Sequence, residues 1–217
     1  MAAPITDLAS LQAAVLDYIA RPDLVDAVPG FIALAESHFN AILRAREMEA
    51  EVSGGTAATP VAAMDLPTDF IEWLAVSWVG SGRTARPTFA EADSPEARFR
   101  HRPGGDPQYF TIRAGKVRMV PEKPGVVTLA YYAAIPPLTS DAPKNWLLAK
   151  APDAYLYAVL AEAYLFQKDP AAVQAHTGLM LQVLAALGIK ADTAKVAKRT
   201  GRPAELQAST QAVARPE

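Results

Sequence analysis

The apolar positions along the chain change their period twice. Leu8, Leu11, Val15, Tyr18 and Ile19 recur at helical spacing, behind an N-cap at Thr6 or Asp7 and ahead of a stop at Pro22. A second helix is predicted from Val28–Pro29 to about Ala50. Its stripe is Phe31, Ile32, Ala35, Phe39, Ile42 and Leu43, and its end, "RAREMEAE", is charged. "SGGTAATP" then reads as a Gly/Thr/Pro loop. From Leu66 to Pro137 the pattern is that of β structure. "FIEWLAVSWV" is aromatic and β-branched, and "GVVTLAYYAAI" is a strand ended by Pro136-Pro137. Between them, "SPEARFRHRPGGD" reads as a short helical turn and a loop.

The clearest β element is "PQYFTIRAGKVRMVP", in which two alternating runs flank Ala114-Gly115. A two-residue turn there, with Gly115 supplying positive φ, sets Ile112 opposite Val117 and Phe110 opposite Met119 on one apolar face. The other face sets Arg113 opposite Lys116 and Thr111 opposite Arg118. Like charges facing one another destabilise a dry sheet, so this face is expected to meet water or an anion.

Helical spacing returns after Asp141. Pro152 suits a first helical position, and Leu156, Val159, Leu160 and Ala163 share one side of a helix over 152–166. Tyr155 and Tyr157 point to its two flanks. Asp169-Pro170 opens a last helix through Val173, Leu179, Met180, Val183 and Leu187, with Gly188 as its C-cap. The predicted fold is therefore α+β: a helical bundle of N- and C-terminal helices carrying an inserted, mostly antiparallel β domain. Its parts are N-terminal helices over 1–65, the β insertion over 66–137, C-terminal helices over 138–189 and a flexible basic tail over 190–217.

Composition narrows the function. With 217 residues, 51% of them hydrophobic, the chain can bury a sizeable core, and a net charge of −2 points to neither a nucleic-acid binder nor a polyacidic chain. The charge is unevenly spread. Residues 1–65 hold nine acids against three bases, 83–123 hold nine bases against five acids, and 190–217 hold six against three. Surfaces with different neighbours would produce such a division. Cysteine is absent, which removes disulfides, thiolate metal sites and thiol catalysis. The first residues lack the pattern of a signal peptide, and no stretch has the length of a membrane span.

Catalytic patterns are not found. His38, His101 and His176 lack metal-ligand spacing, so neither metal nor cofactor is expected. "RHRPGGD" lacks the lysine of a phosphate-binding loop, and "GSG" at 80–82 is too short for a nucleotide fingerprint. The acid pairs Glu47/Glu49 and Asp93/Glu96 read as surface charge.

The run "YYAAIPPLTSDAPKNWLLAKAPDAYLYAVLAEA" resembles the head-to-tail adaptor (connector) proteins of tailed bacteriophages, of the tail-tubular-protein-A and adaptor type. In that family a strand ending in "YY…IPPL" leads into "NWLL…P…YLYA". "LRAREME", "LPTDFIEW" and "PQYFTIRAGKVRMVP" fit in order, so the resemblance covers about residues 5–170. The last helix and the tail carry no matching motif. The resemblance implies a structural protein of the virion neck, made in the bacterial host's cytoplasm, and not an enzyme. It implies a ring, usually of twelve copies, that joins the portal protein to a downstream tail or nozzle protein. Double-stranded DNA would pass its channel without sequence-specific binding, and no membrane is involved.

Within that reading Trp146, Tyr155 and Tyr157 are candidates for the contact between subunits. Lys195, Lys198, Arg199 and Arg202 of the tail are candidates for docking on the portal. Arg113, Lys116 and Arg118 form a basic face toward a tail component or toward DNA, the tail component being preferred. Two rival classes stay open: a DNA-binding module that uses the basic hairpin and tail, and a cell-wall hydrolase that would need a cleft with a perturbed carboxylate.

Overall fold

The computed structural model describes residues 4–91, 94–95 and 105–189. Among these residues the protein is α+β, with five α-helices and two four-stranded sheets. Residues 48–134 form one compact unit, and the segments flanking it in sequence form the other.

In the helical unit, α1 spans Leu8–Ile19 and α2 spans Val28–Ile42. Asp7 caps α1 in a reciprocal box: its carboxylate accepts from the Ser10 backbone at 2.9 Å, and the Ser10 hydroxyl accepts from the Asp7 backbone at 3.0 Å. Leu11, Val15 and Ile19 are buried, whereas Tyr18 of the expected stripe is exposed. Three helices follow the β unit: α3 (Trp146–Lys150), α4 (Pro152–Phe166) and α5 (Pro170–Ala186). α4 contacts all four other helices. It is buried nearly all round, from Ala154 to Ala163, as a central helix must be. Asp169 caps α5 by accepting from the Ala171 and Ala172 backbones, and Gly188 follows that helix with φ 70°. Leu179 and Leu187 of its expected stripe are exposed, and Thr177, Met180 and Leu184 are the buried positions.

The second helix ends earlier than its pattern predicts. α2 stops at Ile42, Leu43 is extended, and Arg46–Met48 makes a single 3-10 turn. The charged end then becomes strand β1, Glu49–Gly54. Arg, Glu, Met and Ala favour a helix locally, but Glu-Ala-Glu-Val-Ser-Gly also alternates with period two. Pairing with the last strand decides between the two.

The other strands of this unit are β2 (Ala63–Asp65), β3 (Phe70–Gly80), β4 (Arg83–Ala85), β5 (Thr88–Phe89), β6 (Tyr109–Arg113), β7 (Lys116–Val120) and β8 (Val126–Ala133). One sheet has the order β1-β8-β3-β4 and is antiparallel throughout; Val52 lies opposite Leu129, and Leu129 opposite Val76. The other has the order β2-β7-β6-β5, antiparallel except where β5 runs parallel to β6. Both sheets contribute to one core, in which Trp78, Val127 and Leu129 join Phe110, Val117 and Met119. "GSG" is the tight turn between β3 and β4, with positive φ at Ser81 and Gly82. Strand β2 lies between the predicted loop "SGGTAATP" and Leu66, and pairs with β7. Most of "SPEARFRHRPGGD", including His101 and Glu96, lies outside the described residues, as does Asp93 just before it.

Candidate assembly interface

Within the helical unit, the stretch from Ile135 to Asn145 has little regular structure, and its prolines remove several backbone donors. Two of those that remain are held by side chains of α2. The Ile135 N–H donates to Asn40 Oδ1 and the Leu138 N–H to Glu36 Oε1, each at 2.8 Å. The Tyr155 hydroxyl donates to the same Glu36 oxygen at 2.6 Å. Asn145 works in both directions: Oδ1 caps α3 at the Leu148 N–H, while Nδ2 donates to the Pro136 carbonyl at 2.9 Å and the Tyr155 hydroxyl at 3.2 Å. Burial, then the hydrogen bond to the Glu36 carboxylate, pushes the Tyr155 hydroxyl far above the ordinary tyrosine range, so it stays a neutral donor.

This geometry gives "IPPL…NWLL…YLY" a physical meaning: the motif fastens the chain's return from the β unit onto α2 and α4. The structure accordingly moves Tyr155. It is wholly buried, edge-on to Phe39 at 5.2 Å, and gives a neighbouring copy no surface to touch. Trp146 and Tyr157 are half-buried. Tyr157 lies 6.2 Å from the His176 ring, which stacks on Tyr164 at 5.0 Å. Sequence reasoning missed Glu36 and Asn40 because their partners are about a hundred positions away, a distance no local pattern reports.

The hairpin forms in the expected register, with Phe110 opposite Met119, Ile112 opposite Val117, Thr111 opposite Arg118 and Arg113 opposite Lys116. Ala114 joins Gly115 in positive φ, at 51° and 71°, so both central residues of the turn are left-handed. The charged side chains of this face meet water and anions, as expected, and the anions are acids of the same unit that answer two of its cations. Lys116 pairs with Asp65 on β2 at 2.7 Å, and Arg118 lies 3.8 Å from Glu122. Thr111, on that same face, is wholly buried. Arg113 stands exposed at the tip.

Among the described residues no group of three His, Asp or Glu side chains could hold a metal. His38 lines a cavity of about 30 Å³ together with Ala158, Glu162 and Met180, far below the volume of a ligand pocket. Glu47 is ion-paired with Lys150. No helix among the described residues is long and apolar enough to cross a membrane.

Against known proteins, the family model described as SU10 adaptor protein matches residues 6–206. The chain belongs to the SU10 adaptor protein family. No curated protein matches it. The family is one of phage head-to-tail adaptors, structural proteins whose role brings them into contact with portal and tail proteins in the neck of the virion. The adaptor's hairpin is described in full, whereas Lys195, Lys198, Arg199 and Arg202 lie outside the described residues.

Proposed function

We propose that this adaptor forms a ring, of twelve copies, beneath the portal, joins the capsid to the tail and leaves a channel for double-stranded DNA. The family match over residues 6–206 carries the reading. In this reading the N- and C-terminal helices act as one bundle, with the β unit as its insertion. Trp146 and Tyr157 take part in the contact between copies. The cationic residues of the tail, Lys195, Lys198, Arg199 and Arg202, dock on an acidic surface of the portal.

The basic hairpin face meets the next tail component in this reading, not DNA. A belt of unpaired cations in the channel would grip phosphate in every copy and hinder ejection. The pairing of Lys116 with Asp65 and of Arg118 with Glu122 supports a face with little net charge to offer DNA. The test is to count copies by native mass spectrometry on purified portal and to reverse the charge of Arg113 and Lys116. We expect a multi-copy ring on the portal, with binding of the tail component lost in the variant and packaging intact. A single bound copy would overturn the ring. Failed packaging or ejection with normal tail attachment would place the face in the channel.

A further inference from the structure

α4 ends in two side chains that the helical unit does not cover. Leu165 is 53% exposed and Phe166 61%, and Leu34, one turn along α2 from Phe31, is 52% exposed. Phe166 is nevertheless held in place, because its ring lies 5.6 Å from that of Phe31. The backbone closes firmly behind it. The Lys168 N–H donates to the Leu165 carbonyl at 3.1 Å and the Asp169 N–H to the Tyr164 carbonyl at 3.0 Å, with Lys168 itself left-handed at φ 61°. This end of the helix is thus an ordered apolar knob with an exposed cation two residues beyond it.

The other end of α4 carries the opposite features. A groove of about 380 Å³ lies between α1 and the start of α4, with Ile5, Ala14, Tyr18 and Leu156 in its lining. Tyr18 is 56% exposed on it. Asp17 and Asp153, both exposed, stand at the same groove. The volume falls in the range that accepts a ring-sized group. Knob and groove differ in shape and in charge sign, and the 15 residues of α4 hold them about 20 Å apart.

We infer that the two ends of α4 are the two halves of one head-to-tail contact between copies of this chain. Leu165 and Phe166 of one copy enter the groove at Ala14, Tyr18 and Leu156 of the next, and Lys168 meets Asp17 and Asp153 across the rim. A contact between unlike patches is heterologous: it leaves a free knob and a free groove at the ends of any open chain, so it propagates until it closes on itself. Burying the exposed apolar groups supplies the driving force, and the charges set orientation and register. The inference rests on the proposed ring and names the surfaces that build it.

The absence of cysteine allows a direct test. In an Asp153→Cys/Lys168→Cys variant the two thiols of one copy are too far apart along α4 to join, since a disulfide needs Cα atoms within about 7 Å. Oxidation of this full-length variant on the portal should give a covalent ladder running beyond the dimer. Adding Phe166→Glu should abolish the ladder. A one-to-one mixture of the two single-cysteine variants should give a covalent dimer that neither gives alone. Absence of the ladder, while native mass spectrometry still counts many wild-type copies on the portal, would overturn this contact and leave the ring standing. A ladder combined with one wild-type copy on the portal would sustain the contact and remove the ring. If the full-length double variant gives no ladder and deletion of residues 190–217 restores one, the groove belongs to the tail and not to the knob, and the inference fails.

Discussion

Tyr155→Phe removes one oxygen atom from the centre of the helical unit and leaves the ring's shape unchanged. Tyr155 is wholly buried and Glu36 nearly so, so water cannot replace the lost hydroxyl. The Glu36 oxygen keeps the Leu138 N–H but loses its donor at 2.6 Å, and Asn145 Nδ2 loses an acceptor at 3.2 Å. A hydrogen bond to a charged group contributes about 1.5–3 kcal/mol. The Asn145 bond is long and that amide keeps the Pro136 carbonyl, so it adds little. The expected loss is about 2–3 kcal/mol, which for a chain of this length lowers the melting midpoint by about 4–12 °C. Urea denaturation and calorimetry on purified protein measure it, with Tyr157→Phe as the control on a half-buried ring of the same helix. The control should change stability by less than about 0.5 kcal/mol. Refutation is simple: if Tyr155→Phe is as stable as Tyr157→Phe, the network does not secure the return segment and the motif has another meaning.

Two further outcomes follow from the β unit and the charged pairs. Gly125→Ala should destabilise by about 1–3 kcal/mol in denaturant titration, because the added Cβ meets the Trp78 indole and sits 2.7 Å from the Val79 carbonyl oxygen. That indole is held by donating to the Lys123 carbonyl at 3.1 Å and cannot easily give way. The pH dependence has a definite sign. Hydrogen bonds from Lys123 to Asp106, from Lys150 to Glu47 and from the Ser10 backbone to Asp7 hold all three carboxyls below their ordinary values. Unfolded, these groups take up protons near pH 4, so the stability they contribute is present above that pH and is lost as pH falls through the lower folded values. Thermal melts from pH 6 to pH 3 should show a falling midpoint, with a shallower fall for Asp106→Asn; an unchanged slope would remove that carboxylate from the account.

Local chemistry determined much of this protein before any folding in space. The Asp7 box, Pro29 and Pro152 in first turns and the Asp169 cap set where helices begin, because capping and fixed φ act within one turn of the chain. The Ala114-Gly115 turn set the hairpin's register, because period-two alternation leaves one pairing that puts Phe110, Ile112, Val117 and Met119 on a common face. The family was also legible, as a resemblance carried by the motifs "IPPL", "NWLL" and "YLY". The tertiary structure alone decided three matters. It ended α2 at Ile42 and made the charged residues after it a strand, because β8 offered Glu49–Gly54 a partner that outweighs helix propensity. It turned Tyr155 from a surface candidate into the donor for Glu36, since which helix lies over which side chain depends on packing between segments far apart in sequence. It also set Asp65 beside Lys116, neutralising a cation that the hairpin by itself leaves bare. In each case the deciding partner lies outside the local window that a sequence pattern can report, and only the folded chain brings it near.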